Sequence, residues 1–255
     1  MNAVALIVDA DTPDLTGLAL ASLTRFAPDV RPVVFAANGS RHAEALHAVR
    51  AGSAFVGGQI LAPDRYPYPD VVILLDSDAM VCSPRWWPAI RERLEAGATV
   101  VGGFRSRGDA SQMFIDGVPV MHASMLAMTR DVWLTTSSFE QAHDSVTNYM
   151  QFDTAARVSL EAFQRGEPVA TFPFFRVGHG PRFPGIQVGE YFEPGAASTR
   201  ETLWAHCWRG TSMRRASWRN RLGAWCGSPH SRTWLAAQER KRRYLELGKL
   251  IVGQA

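Results

Sequence analysis

A short apolar run that ends in two acids is the feature that most constrains this chain. Five consecutive apolar residues, 71–75, are followed directly by Asp76, Ser77 and Asp78. The run is too short for a helix and consists of Val, Ile and Leu, which is typical of a strand buried on both faces. Ligands of α/β proteins bind where such strands end. The sequence therefore predicts that Asp76 and Asp78 lie at the ligand-binding edge of a sheet.

The order of strand-like and helix-like segments predicts an α/β fold class. Segments 3–8, 32–37 and 71–76 have strand character, and segment 14–26 has apolar residues at helical spacing. Such alternation favours a mostly parallel sheet flanked by helices. Residues 174–197 are rich in Gly, Pro and aromatic residues, a composition that predicts a long functional loop.

Length and composition exclude several classes of protein. The 255 residues are 46% hydrophobic and 20% charged, which fits one globular domain with an appendage and excludes disorder throughout. The first residues lack the pattern of a signal peptide, and no apolar run approaches the roughly 20 residues that span a bilayer, so we expect a cytoplasmic protein. Cys82, Cys207 and Cys226 are odd in number and lack C-x-x-C spacing, which argues against a disulfide framework or a zinc site.

Basic charge is concentrated near the C-terminus. Residues 208–243 contain ten Lys or Arg and one acid, a local charge of +9, and the whole chain carries +3, so the remainder carries −6. Residues 213–251 also contain Trp and an amphipathic pattern. Two interpretations stay open: a helical extension that packs its aromatic residues on the body, or a peripheral contact with anionic lipid at the inner membrane face.

Three motifs, taken in order, resemble the nucleotide-sugar-binding half of GT-A-fold glycosyltransferases of the family-2-like type. Asp9 ends the first strand before a Leu-rich helix, Asn38 opens a turn after the second strand, and Asp76-Ser77-Asp78 resembles the DxD motif. The resemblance implies a GT-A-like (Rossmann-like) fold in which Asp9, Asn38, Asp76 and Asp78 bind the nucleotide. It also implies that Asp76 and Asp78 hold Mn²⁺ or Mg²⁺, cations that favour carboxylate and phosphate oxygens.

The later half continues the resemblance. Residues 121–131 are similar to the acceptor-side strand and turn, and residues 152–156 are similar to the segment that carries the catalytic carboxylate. The resemblance makes Asp153 the general base, although the adjacent second acid of many members is replaced here by Phe152. Residues 204–212 resemble the closing histidine stretch, which makes His206 a third metal or diphosphate contact.

The resemblance covers residues 3–212 and implies a metal-dependent glycosyltransferase of the hexosyltransferase type. Such an enzyme moves a sugar from a nucleoside-diphosphate sugar to a hydroxyl-bearing acceptor, here with inversion, and no nucleic-acid partner is expected. The implied domains are a glycosyltransferase domain, residues 1–212, and a basic C-terminal extension, residues 213–255. The first divides into a nucleotide-sugar half, residues 1–104, and an acceptor half, residues 105–212.

Each candidate residue also has a purely structural interpretation. Acids that end strands frequently cap the following turn or helix, which applies to Asp76 and Asp78. Asp153 is well placed as the N-cap of a helix predicted over residues 153–164. His206 lies between Trp204 and Trp208 and also fits a half-buried core histidine. Asp144 is a second candidate for the general base.

Two other function classes compete with sugar transfer. Residues 7–12 fit the hhhhDxDxT nucleophile motif of haloacid-dehalogenase-like phosphatases, with Asp9 and Asp11 as the acids. That class also requires a late cation before an acidic pair, and Lys241 and Lys249 have no such pair after them. In a non-catalytic alternative, the basic extension binds lipid or RNA.

Overall fold

The computed structural model describes residues 1–9, 12–36, 55–56, 59–60, 69–105, 114–115, 118–119, 121–137, 156–177, 186–192, 200–207 and 229–253. The strands within these residues are β1 Ala3–Asp9, β2 Val30–Ala36, β3 Phe55–Val56, β4 Gln59–Ile60, β5 Val71–Asp76, β6 Ala79–Val81, β7 Val100–Arg105, β8 Phe114–Ile115, β9 Val118–Pro119, β10 His122–Thr129, β11 Val169–Val177, β12 Ile186–Phe192 and β13 Arg200–Cys207. The helices are α1 Pro13–Phe26, α2 Trp86–Glu95, α3 Arg130–Thr135, α4 Ala156–Gln164 and α5 Pro229–Val252.

Nine strands form one mixed sheet in the order β2-β1-β5-β10-β7-β11-β12-β13-β6. Strand β1 is parallel to both β2 and β5, and β7 is parallel to β11, whereas the other neighbouring pairs are antiparallel. Followed across the sheet, these pairings give β1, β2, β5, β7, β11 and β13 the same direction. The predicted α/β fold class, with mostly parallel strands and flanking helices, is confirmed.

The strand β5 is buried on both faces, as its sequence predicts. Ile73 and Leu75 face a core that contains Leu23 of α1 and Ile90 of α2. Val72 and Leu74 face a second core, which contains Val132 and Trp133 of α3 and Val158 of α4. Burial on both faces explains why the strand is a continuous apolar run, because alternating polar residues would place unpaired polar groups in one of the two cores.

Strands β5 and β6 are close in sequence but far apart in the order of the sheet. Only Ser77 and Asp78 separate them, yet β5 is the third strand in the sheet and β6 is the ninth. The antiparallel part of the sheet, formed by β12, β13 and β6, must therefore curl back toward the end of β5. This return brings a distant part of the chain to the two acids.

The prediction of a long loop over residues 174–197 is wrong for two segments. Strand β11 continues to Val177, and Ile186–Phe192 forms β12, which pairs with β11 on one side and β13 on the other. The remaining residues, 178–185 and 193–197, lie outside the described part of the chain. Flanking Gly and Pro conceal the strand signal, and long-range pairing supplies the hydrogen bonds that local composition does not reveal.

Helix α5 packs on the body of the protein. Tyr244 is buried in a third core with Leu15 and Leu18 of α1, Met80 of β6 and Ala205 of β13. Within the described part of the chain, none of the helices combines the length and the apolar character needed to cross a membrane.

Part of the basic charge of α5 is balanced inside the protein. Arg242 and Arg243 each bind Glu239 on the same helix at 2.7 Å, and Lys241 binds Asp14 of α1 at 2.8 Å. Residues 213–228 of the basic extension lie outside the described residues, so the contact with an anionic membrane stays a prediction.

Candidate metal centre

The two acids of the DxD-like motif lie at the end of β5. Asp76 is the last residue of the strand, and Ser77 and Asp78 form the turn that leads into β6. The side chain of Asp78 is only 3% exposed, whereas that of Asp76 is 19% exposed. Asp76 is therefore the acid that faces solvent, and Asp78 lies deeper.

Pairing between β6 and β13 delivers the histidine. His206 is aligned with Ala79, and the backbone N–H of Cys207 donates to the carbonyl oxygen of Asp78 at 2.8 Å. This register sets the imidazole beside the acids, although 128 positions separate His206 from Asp78 in the sequence. The side chain of His206 is 6% exposed.

The ligand atoms of the three residues converge. The Nε2 atom of His206 lies 3.1 Å from Oδ1 of Asp78 and 3.5 Å from Oδ2 of Asp76, and one ligand atom from each residue falls within 4.8 Å of the others. In an octahedron with metal–ligand distances of about 2.1 Å, neighbouring ligand atoms lie about 3 Å apart. Two carboxylates and one imidazole with this spacing fit a divalent cation such as Mn²⁺.

The ring of a second histidine packs against His206. The ring of His122 on β10 meets the ring of His206 edge-on, with 5.1 Å between centroids, and lies 4.9 Å from the ring of Phe174. The backbone N–H of Ser124 donates to Nδ1 of His122 at 3.1 Å, which fixes the orientation of that ring. No sequence pattern predicts that His122 packs against His206, because a single histidine within a strand usually has only a structural function.

Asp78 lies near two buried ionisable groups of the neighbouring core, Cys207 and Tyr244. Burial, reinforced by the negative charge of Asp78, raises the pKa of Cys207 to about 12. Burial is also the main cause of the raised pKa of Tyr244, to which Cys207, Cys82 and Asp78 add. The acids thus lie beside buried groups whose ionisation is disfavoured, chiefly by burial.

The other predicted site residues are only partly described. Asp9 is the last residue of β1, and the residue before it, Val8, is aligned with Asp76. The backbone of Asp9 therefore lies at the same edge of the sheet as Asp76. The side chain of Asp9 and the whole of Asn38 lie outside the described residues. Asp153, the predicted base, also lies outside them, and the next described residue along the chain is Ala156, the first residue of α4.

The acids that the alternative interpretations require also lie outside the described residues. Asp144, the second candidate for the base, and Asp11, which the phosphatase alternative requires, fall in segments that the structure does not describe. Asp76, Asp78 and His206 are therefore the predicted site residues that the described structure brings together.

No family model and no curated protein sequence matches this chain. Similar solved structures include a mannosyltransferase of Pyrobaculum calidifontis in complex with GDP-Man and Mn²⁺, at 14% identity and a TM-score of 0.44, over 68% of this chain and 55% of that one. The galactosyltransferase LgtC, with donor and acceptor sugar analogues, is similar at 18% identity and a TM-score of 0.41, over 66% and 73% of the chains.

The glucosyl-3-phosphoglycerate synthase of Mycobacterium tuberculosis, in complex with phosphoglyceric acid, is 14% identical with a TM-score of 0.42, over 94% of this chain and 80% of that one. The chain spans little more than half of the length of the mannosyltransferase. These structures belong to the class of enzymes that the sequence motifs resemble.

Proposed function

We propose that this protein is a metal-dependent glycosyltransferase that uses a nucleoside-diphosphate sugar and a hydroxyl-bearing acceptor. The observation that carries the proposal is the convergence of Asp76, Asp78 and His206, with Nε2 of His206 within 3.5 Å of both carboxylates. The three residues come from the end of β5, the turn after it and the distant strand β13, and they meet at the edge where an α/β sheet binds its ligands. If the acids served only to cap the turn after β5, one acid would suffice, and no histidine from a distant strand would be required beside them.

The proposed roles follow the burial of each residue. Asp78 and His206 are nearly enclosed and would hold Mn²⁺ or Mg²⁺ from the protein side, while the more exposed Asp76 would face the ligand. When bound, the cation supplies Lewis-acid stabilisation of the charge on the departing diphosphate. Asp9 and Asn38 are proposed to line the nucleotide pocket.

The proposed transfer inverts the configuration of the sugar. The acceptor oxygen forms a bond to the anomeric carbon as the bond from that carbon to the diphosphate oxygen breaks. The acceptor proton passes to the carboxylate of Asp153, which acts as general base. A hexose donor is the proposed sugar, and a cytoplasmic location is proposed because nucleotide sugars must be available to the enzyme.

Incubation with a panel of nucleoside-diphosphate hexoses tests the function. We expect release of a nucleoside diphosphate from at least one donor with Mn²⁺ present, and loss of that release with EDTA or in Asp78→Asn. Asp131→Asn, an exposed acid in α3, is the control and should behave as the unaltered protein. Hydrolysis of phosphomonoesters that depends on Asp9 and not on Asp78 would instead establish the phosphatase alternative.

A further inference from the structure

Helix α5 is held tightly against α1. A Cβ atom added at Gly248 would overlap the side chain of Leu18 in α1, so a larger residue at this position requires that side chain to move. Tyr244, one turn earlier, is 1% exposed and packs in the core that α1, α5, β6 and β13 share. The described end of the chain is therefore an integral part of this core.

Polar contacts fix α5 at both ends of the contact with α1. Nζ of Lys241 lies 2.8 Å from Oδ2 of Asp14, near the start of α1. Nη1 of Arg25, in the last turn of α1, donates to the carbonyl oxygen of Val252 at 3.0 Å. These two contacts set the position of α5 along α1, which in turn sets the position of the Tyr244 side chain.

The hydroxyl of Tyr244 reaches the strand that carries the histidine. It donates to the carbonyl oxygen of Ala205 at 3.0 Å, and Ala205 directly precedes His206. Ala205 is aligned with Met80 of β6, and the next residue along, His206, is aligned with Ala79. The hydrogen bond thus acts on the β6–β13 pair at the point where that pair holds the imidazole beside the acids.

We propose that α5 is a positioning element of the metal centre, and that Tyr244 sets the backbone of β13 and through it the imidazole of His206. The inference rests on the proposed function of the triad. Groups that orient a metal ligand directly change metal affinity by about 10–100-fold when they are removed. Because the hydroxyl of Tyr244 acts through the backbone carbonyl of Ala205, we expect a smaller loss of about 3–10-fold.

Tyr244→Phe tests the proposal, since it keeps the ring in the core and removes only the hydroxyl. Titration calorimetry with Mn²⁺ alone should show the expected loss of affinity, while thermal unfolding in EDTA should remain cooperative. Leu247→Ala, on the exposed side of the same helix, should leave the affinity unchanged. Gly248→Ala, whose Cβ atom displaces the side chain of Leu18 in the contact between α5 and α1, should also lower the affinity for Mn²⁺.

A second measurement separates this proposal from the proposed function. The imidazole signals of His206 in the metal-free protein, assigned by comparison with His206→Gln, should shift in Tyr244→Phe and not in Leu247→Ala. A Tyr244→Phe protein with unaltered His206 signals and unaltered Mn²⁺ affinity would overturn the positioning role and leave the metal site intact. Failure of the unaltered protein to bind Mn²⁺ would overturn the proposed function, and the His206 signals would still decide whether Tyr244 positions the ring.

Discussion

The metal centre joins two regions that are built in different ways. Asp76 and Asp78 follow a strand buried between two helical layers, next to the parallel partner β1. His206 lies on β13, which is antiparallel to both of its neighbours and is covered by α5. In the first region, a continuous apolar strand places the acids at its end. In the second region, the position of the histidine depends on the long-range pairing of β13 with β6.

We therefore expect substitutions in the first region to change mainly the stability of the fold, and substitutions in the second to change mainly the metal site. We expect substitutions within β5 to act on the whole fold, because they remove packing from central layers. Substitutions in the β13 region should instead act mainly on the position of the imidazole.

Ile73→Ala should have the largest effect on stability. Ile73 is 0% exposed between Ala5 and Ala127 on the neighbouring strands, so its truncation should lower the free energy of unfolding by about 2–5 kcal/mol. Leu250→Ala, at a position 66% exposed, is the control and should cost less than about 0.5 kcal/mol. Urea unfolding measures both. Equal costs would show that β5 is not the stabilising centre.

His206→Ala should weaken Mn²⁺ binding by at least about 100-fold, because a ligand contributes more than the groups that orient it. Thr202→Ala, on the same strand but outside the triad, should bind Mn²⁺ normally. Titration calorimetry compares the two. An affinity for Mn²⁺ that is the same in both variants would remove His206 from the site.

The sequence predicts the first region well and the second only in part. The acids follow directly from the run of residues 71–75, since burial on both faces leaves a local and continuous signal. The return of β6 to the edge of the sheet leaves no such signal, because Ala79–Val81 is three residues long and gains its stability from β13. A family resemblance predicts the role of His206, whereas the contribution of Tyr244 depends on a helix-to-strand contact that no local pattern encodes.

Gly103→Ala should disturb the core that Trp204 of β13 shares with Ile73 of β5. A Cβ atom there would lie 2.8 Å from Cζ2 of Trp204 and 3.2 Å from Cβ of Phe174, so overpacking should cost about 1–3 kcal/mol of stability. Gly17→Ala is a matched control, because a Cβ atom at that helical position meets no atom within 4 Å. It should stabilise the protein by about 0.5–1 kcal/mol through helix propensity. Thermal unfolding of both variants would contradict the account if their shifts had the same sign.

Alkaline pH should reveal a small effect at Cys82, which follows β6. Burial raises the pKa of this thiol from about 9 to about 12. A raised pKa in the folded state means that the contribution of the thiol is complete below pH 9 and is lost as the pH rises toward 12. Between pH 8 and pH 9.5 the loss should be about 1 kcal/mol greater in the unaltered protein than in Cys82→Ala. Urea unfolding at the two pH values measures it, and parallel behaviour of the two proteins would argue against burial of the thiol.

Calorimetric titration of Mn²⁺ into the unaltered protein and into Asp78→Asn tests the central claim most directly. Asp78 is the deepest acid of the triad, 3.1 Å from Nε2 of His206, and its replacement removes a charge while preserving the shape of the side chain. We expect one binding site in the unaltered protein, none in Asp78→Asn, and a normal site in Asp131→Asn. Binding of Mn²⁺ with equal affinity to all three proteins would contradict the assignment of the metal centre.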